Sequence, residues 1–359
     1  MSRVVIDGLV KHFHGNPPTK AVDDLGLEID QGEFLILLGP SGCGKTTALR
    51  CLAGLETPSA GRISFGDTTV FDASRRVNLS PDKRNVGMVF QSYALWPHMS
   101  VAENIGYPLR VQKFGGRELA REVDAALAAV GLAGYGARRP ADLSGGQRQR
   151  VALARCLAMK ARVVLLDEPL ANLDVHLRAR MLAEIAAFRN VSRATLVYVT
   201  HDQAEALGVA DRIAVMAGGR LRQVATPSVL YRTPSDGIVS RFVGGGAVVQ
   251  GTVTTTYANG HATVALFGRE WHVRSAPGQP SGQVEVCLRP EDVQLADPAS
   301  GFAARVARVL YQGGRSVVEA IPLDDPQTTL ALSLTSSDGC APGTTLHLAL
   351  ADGWVIPNR

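Results

Sequence analysis

No apolar run in this 359-residue sequence approaches the roughly 18 residues that a bilayer-spanning helix needs. Stretches such as FLILLG and VVLLD have the length of buried core strands instead. The opening segment MSRVVIDGLVKHFHG lacks the apolar stretch of a secretory leader. The five cysteines, Cys43, Cys51, Cys156, Cys287 and Cys340, form no CxxC pair and no Cys/His ligand spacing. A disulfide frame and a zinc site are therefore not expected, and the pattern suits reduced cytoplasmic thiols. A dense basic stripe is also missing: the net charge is only +4, and RVNLSPDKR and GARRP suit solvated faces, so no nucleic-acid partner is expected. What remains is 46% hydrophobic and 19% charged residues, on a chain long enough for two domains with a real core.

Residues 1–240 alternate short apolar runs with helical patterns, which predicts an α/β layer built on parallel strands. EFLILLG (33–39) predicts a buried strand followed by a glycine-rich turn and a helix whose Ala48, Leu49, Leu52 and Ala53 share one face and whose C-cap is Gly54. Segment 117–131 places Leu119, Val123, Leu127 and Val130 on one stripe and stops at Gly131. RVVLLDEP (162–169) and ATLVYVTHD (194–202) are two further buried strands with polar residues at their C-terminal ends, the edge of a parallel sheet where ligands bind. From about 241 the texture changes. Gly244-Gly245-Gly246 opens a series of short alternating runs separated by Gly, Pro, Asn and Asp turns, without helix-length patterns. Residues 241–359 are expected to form a small all-β domain, sandwich or barrel.

The chemistry concentrates in the first domain. Gly39-Pro40-Ser41-Gly42-Cys43-Gly44-Lys45-Thr46 fits G-x-x-x-x-G-K-[ST] between a strand and a helix, the context of a phosphate loop. Its glycines let backbone N–H groups and the helix N-terminus face phosphate oxygens. Lys45 supplies a point charge to the β/γ-phosphates, and the Thr46 hydroxyl is a Mg²⁺ ligand. Asp167 and Glu168 leave a dry strand together, which is costly unless a cation or a reaction uses them. Asp167 is expected to hold Mg²⁺ directly or through water, and Glu168 to activate water. Leu143-Ser144-Gly145-Gly146-Gln147 precedes the helical stretch RQRVALARCLAM and supplies a second anion-binding helix start.

With these residues in this order the sequence resembles the ATP-binding cassette family, whose signature is LSGGQ. The resemblance runs over essentially the whole chain and implies further roles. Phe13 stands where the family's aromatic stacks on adenine. Thr47 adjoins the nucleotide-binding loop. Gln91, in VFQSYALWPH, matches the Q-loop glutamine that reaches the metal and the reacting phosphate. Asp174, in LANLD, matches the D-loop, and His201, ending VYVTH, the switch histidine at the γ-phosphate. Ala171 stands where serine is frequent, and Cys43 lies inside the phosphate loop. The implied fold is an α/β P-loop ATPase with a helical subdomain at about 92–160, followed by an OB-like domain. In this family two cassettes face head to tail, so one copy of each motif implies a homodimer, or a heterodimer with a similar chain. Ser144, Gly145 and Gly146 would then act in trans, and Gln147 of the same motif is a further nucleotide-binding candidate.

The resemblance also implies what ATP hydrolysis drives. Without a membrane segment the chain must couple to separate permease subunits, from the cytoplasmic face of the inner membrane. Residues 92–110 resemble the face that receives a permease; Tyr93, Leu95, Trp96 and His98 are candidate contacts, while Leu95 and Trp96 fit a subdomain core equally well. Arg289-Pro290-Glu291, in CLRPEDVQL, resembles the C-terminal domain of importer ATPases for sugars, polyamines, ferric iron, sulfate and molybdate. Such importers work with an external substrate-binding protein. The segment VNLSPDKRNVGMVFQSYALWPHM looks nearest to ferric-iron and polyamine members, with sugar or oxyanion import as the alternative. A soluble, non-transport cassette ATPase is the rival from another class. It would usually bring two cassettes or a long coiled-coil insertion, and neither is present.

Overall fold

In the computed structural model, which describes residues 3–15, 18–171, 175–335 and 339–357, the chain begins with an antiparallel layer. Strand β1 (Val4–Phe13) pairs with β2 (Thr19–Ile29), and both alternate buried and exposed side chains as a one-sided sheet requires. Strand β3 (Phe34–Leu38) is buried at every position and leads through the glycine-rich loop into α1 (Lys45–Ala53). Gly54 ends α1 in the left-handed conformation, φ 81°, with its N–H on the carbonyls of Arg50 and Cys51. Strands β4 (Ala60–Phe65), β5 (Thr68–Asp72) and β6 (Val77–Asn78) complete the antiparallel sheet in the order β2-β1-β4-β5-β6. The parallel-strand expectation did not include this antiparallel layer.

After β7 (Val86–Val89) come three helices, α2 (Val101–Val111), α3 (Gly116–Ala129) and α4 (Gly145–Ala158). They bury Val101, Ile105, Leu109, Val123, Leu127, Val151 and Ala154 against one another, a small core of their own. The 117–131 stripe is therefore real: Val123 and Leu127 are buried, Leu119 and Val130 pack at its edge, and Gly131 follows at φ 70°. Strand β8 (Val163–Asp167), helix α5 (Val175–Ser192), strand β9 (Thr195–Thr200), helix α6 (Gln203–Val209), and strands β10 (Arg212–Ala217) and β11 (Arg220–Ala225) finish the first unit. The central sheet runs β11-β10-β3-β9-β8-β7, parallel from β10 to β7, with β11 antiparallel at one edge. The C-terminal ends of β3, β7, β8 and β9 therefore lie along one edge.

Compactness divides the chain at Met1–Pro227 and Ser228–Arg359. The change in sequence texture falls near 240. The offset has a physical cause: helices α7 (Pro227–Arg232) and α8 (Gly237–Phe242) precede the β-rich region but are bonded to it. Arg289 is 3% exposed and donates from its guanidinium to Tyr231 O at 2.7 Å, to Ser240 O at 3.0 Å and to Val243 O. Beyond them, β12 (Ala247–Tyr257), β13 (His261–Leu266), β14 (Arg269–Arg274), β15 (Gly282–Leu288) and the late β21 (Trp354–Ile356) close a barrel in the order β12-β13-β14-β21-β15. Strands β16 (Val293–Leu295), β17 (Phe302–Tyr311), β18 (Ser316–Pro322), β19 (Leu330–Leu334) and β20 (Thr345–Leu350) form a second sheet, and one apolar cluster fills the space between. The β-rich, OB-like expectation for the C-terminal region is met.

Candidate active site

The phosphate loop is shaped by two backbone approaches that admit no side chain. A Cβ on Gly39 would lie 2.3 Å from Met216 O of β10, and one on Gly44, at φ 99°, would lie 2.1 Å from Ala21 O of β2. Gly42 is also left-handed, at φ 78°. The loop therefore curls between two sheets, with Pro40, Ser41 and Gly42 exposed and Cys43 and Lys45 buried. Lys45 Nζ donates to Gly39 O at 2.6 Å and Pro40 O at 2.9 Å, and Cys43 Sγ lies 3.7 Å away. The ammonium is thus held inside the curve by the loop's own carbonyls, with Thr46 and Thr47 half-buried on the first turn of α1.

Across the sheet edge, the Thr46 hydroxyl donates to Asp167 Oδ1 at 3.0 Å. Asp167, 6% exposed at the end of β8, has its carboxyl pushed above the ordinary range chiefly by burial. The Thr46 hydrogen bond and the Arg50 charge pull the other way, and neighbouring Glu168 adds to the rise. Glu168 turns off the strand at φ 44°, with its N–H on Val199 O at 3.1 Å, and so crosses to the end of β9. There His201 Nδ1 stands 3.4 Å from Glu168 Oε2. Gln91 follows β7 on the same edge and is exposed. Asp174 lies outside the described residues. Phe13 ends β1 exposed, with Lys11 Nζ 4.7 Å from its ring centre.

The second anion-binding start is built separately. Ser144 caps α4: its Oγ accepts the Gln147 N–H at 3.3 Å, while its own N–H donates to Gln147 Oε1 at 2.9 Å. Ser144 is exposed, and a Cβ on Gly146 would meet Met181 Sδ of α5 at 3.1 Å. No hydrogen bond among the described residues joins this turn to the phosphate loop. Of the four candidate permease contacts, Tyr93 is buried at φ 63°, Leu95 joins the helical core, Trp96 packs on Tyr107 with ring centres 4.5 Å apart, and only His98 is exposed. Arg155 fixes this stretch from α4 by donating to Ala94 O at 2.9 Å and Tyr93 O at 3.3 Å. Sequence reasoning missed Arg155, and also Tyr198 and Glu205 behind His201. The Asp202-x-x-Glu205 spacing marks the start of α6, but it suggests a capping box, whereas Glu205 accepts from Tyr198 and Thr200 instead.

A strand–loop–helix cradle for phosphate, with a buried aspartate, a glutamate and a histidine on neighbouring strand ends, defines a P-loop nucleoside triphosphatase. Residues 22–171 match the ABC transporter family model and residues 286–356 the TOBE domain model. The chain is 39% identical to the spermidine/putrescine import ATP-binding protein PotA of Nitratidesulfovibrio vulgaris over 98% of its own length and 96% of that relative. It is 44% identical to the Fe(3+) ions import ATP-binding protein FbpC 1 of Rhizobium meliloti, over 82% of this chain and 81% of the relative. Among solved structures it resembles a dimeric, post-hydrolysis ATP-binding cassette bound to ADP and Pi. That likeness has a TM-score of 0.54 at 28% identity, over 62% of this chain and 98% of the other. The chain belongs to the ATP-binding cassette transporter family: it is an ATPase whose hydrolysis is coupled to transport, with a C-terminal TOBE domain.

Proposed function

We propose that this chain is the ATPase subunit of an importer, and that two cassettes closing on ATP drive a separate permease. The observation that carries the reading is the partition of the site. One sheet edge gathers the phosphate loop, Asp167, Glu168 and His201, while the Ser144 turn sits apart as an exposed donor surface. A head-to-tail pair would bring the Ser144, Gly145, Gly146 and Gln147 turn of one subunit over the Gly39–Thr47 loop of the other.

In that pair Lys45 and the loop N–H groups bind the β/γ-phosphates, and Phe13 lies against the base. Glu168 takes the proton of the attacking water, with His201 beside it at the γ-phosphate and Gln91 completing the reacting edge; the D-loop role of Asp174 rests on the family resemblance. The residues present fit magnesium: Thr46 Oγ1 and Asp167 Oδ1 are hard oxygen donors 3.0 Å apart, and burial makes a bare Asp167 carboxylate costly, which a cation would offset. Bound there, Mg²⁺ would neutralise charge on the phosphate oxygens. Gln91 is its third candidate ligand.

No helix among the described residues is long and apolar enough to cross a membrane, and the import ATP-binding relatives support a peripheral subunit on the cytoplasmic side of a permease. A cavity of about 420 Å³ bordered by Gln91, Tyr93, Leu95, Pro97, Gly145 and Arg148 adjoins the candidate permease face. Relatives of comparable similarity are named for polyamine, ferric-iron and trehalose/maltose import. The cargo we propose is polyamine or ferric iron, with sugar or oxyanion as the alternative, delivered by an external binding protein.

Two variants test the partition. Glu168→Gln should trap an ATP-bound dimer with little turnover, visible by size-exclusion chromatography with ATP. Ser144→Arg should abolish hydrolysis while leaving ATP binding by the isolated chain intact; loss of binding would contradict a two-subunit site. Identifying the ligand of the binding protein that accompanies the co-purified permease decides the cargo.

A further inference from the structure

Behind His201 lies a buried carboxylate that the chemistry of hydrolysis does not require. Glu205, on the first turn of α6, is 5% exposed. Its Oε2 accepts from Tyr198 Oη at 2.5 Å and from Thr200 Oγ1 at 2.7 Å. Thr200 Oγ1 in turn accepts the Asp202 N–H at 3.0 Å. Asp202 Oδ1 accepts the N–H groups of Ala204 and Glu205 at 2.8 and 3.1 Å. The residues on both sides of His201 are therefore tied to one carboxylate, directly at Thr200 and through its hydroxyl at Asp202.

The arrangement satisfies groups that would otherwise be costly. Tyr198 is fully buried in the central strand β9, so its hydroxyl needs an acceptor. An ionised Glu205 at this depth needs donors and a counter-charge. Arg178 of α5 supplies the charge: its Nε lies 3.8 Å from Glu205 Oε1, and its Nη1 bonds Asp202 Oδ2 at 3.1 Å. Helix α5 begins at Val175, directly after the segment that carries Asp174. What the network leaves outside itself is the His201 imidazole, which is mostly exposed and aimed at Glu168.

We propose that Tyr198, Thr200 and Glu205 are positioning residues that hold the His201 backbone so that its ring meets Glu168, and that Arg178 links this support to α5. The inference rests on the assignment of His201 as the switch histidine. A purely structural cluster would set stability alone; a positioning cluster sets turnover through His201.

Six variants of the full-length chain distinguish these roles by kcat and KM for ATP: Thr200→Val, which keeps shape but removes the hydroxyl, Thr200→Ser, which restores it, Tyr198→Phe, His201→Ala, and the two doubles that add Thr200→Val or Tyr198→Phe to His201→Ala. Misplacement of a reacting group by about 1 Å costs up to roughly 100-fold, so Thr200→Val should lower kcat about 10- to 100-fold with KM changed less than about twofold. Thr200→Ser should recover most of that loss. On the residual rate of His201→Ala, Thr200→Val and Tyr198→Phe should add almost nothing, because residues acting as a unit are not additive. A Thr200→Val chain that keeps its kcat and only melts earlier would overturn the proposal, as would a loss that persists undiminished without His201. If Thr200→Val does not fold, Tyr198→Phe carries the same comparison. A fully active His201→Ala removes the histidine assignment, and the positioning role with it. An inactive His201→Ala beside unimpaired Thr200→Val and Tyr198→Phe removes the positioning role alone.

Discussion

Three glycines of the phosphate loop separate backbone strain from steric overlap, and alanine at each should destabilise the first unit in a fixed order. At Gly42, with φ 78°, an added Cβ meets nothing within 4 Å, so Gly42→Ala suffers only the left-handed conformation, about 1–2 kcal/mol. Gly39 has an ordinary φ, but its Cβ would stand 2.3 Å from Met216 O and 2.7 Å from Cys43 Sγ. Met216 O belongs to a strand paired in the central sheet and cannot retreat cheaply, so overpacking at the upper end of its usual range, about 3 kcal/mol, is expected. Gly44 combines both effects: φ 99° and a contact of 2.1 Å to Ala21 O. Its alanine variant should cost about 4–5 kcal/mol. A unit of this size loses roughly 2–4 °C of melting midpoint per kcal/mol, so the midpoints should fall by about 2–8, 6–12 and 8–20 °C at positions 42, 39 and 44. Differential scanning calorimetry of the nucleotide-free full-length chains measures this, and ATP titration of the same samples should show affinity lost at 39 and 44. Gly44→Ala melting above Gly42→Ala would refute the reasoning, since the overlap with Ala21 would then have no energetic weight.

Arg289→Ala removes a buried guanidinium from the carbonyls of Tyr231, Ser240 and Val243, and charged hydrogen bonds contribute about 1.5–3 kcal/mol each, so the C-terminal unit should lose at least about 4 kcal/mol. Its calorimetric transition should drop while that of the first unit stays. Asp167 carries a native pKa above its unfolded value, so its protonated form favours folding: this contribution is fully present below the unfolded pKa and is lost as pH rises through the native one. Asp167→Asn should therefore raise the melting midpoint at neutral pH without nucleotide and flatten its pH dependence, and an unchanged profile would count against burial as the cause. A chain ending at Pro227 should be more soluble and melt more sharply than one ending at residue 240, because the longer form keeps α7 and most of α8 without Arg289; equal behaviour would challenge the division between the units.

Much of the active site was legible because its residues act through local backbone geometry. Gly39 to Thr46 lie on one loop, and Ser144 and Gln147 on one helical turn, so spacing alone carried their meaning. Strand-end carboxylates were legible for a related reason: a dry VVLL run ending in Asp167 and Glu168 states its own cost. The supports were not. Glu205 joins Tyr198 and Thr200 across a strand and a helix, and Arg155 reaches back to Ala94 over a fold-wide gap, so neither contact exists until the sheet assembles. Strands β16 and β21 have three residues each, too few for alternation to register. The placement of α7 and α8 depended on downstream residues, Arg289, Arg274 and Trp354 among them, which no local composition change reveals.

At the start of α4, what has already been spoken for decides what is left. The Ser144 oxygen takes the Gln147 N–H, and the Gln147 side chain takes the Ser144 N–H. The Arg148 N–H is taken by Ser144 O at 2.9 Å. No hydrogen bond among the described residues uses the N–H groups of Gly145 and Gly146, and the Ser144 hydroxyl still has its proton to give. The N–H and O–H groups left at this turn therefore make it chiefly a donor surface. A second subunit whose loop carries no phosphate would face it with few acceptors, leaving donors unpaired in a drying interface. On the two-cassette reading, the nucleotide acts as the mortar of the dimer, and removing its terminal phosphate is itself the signal to part.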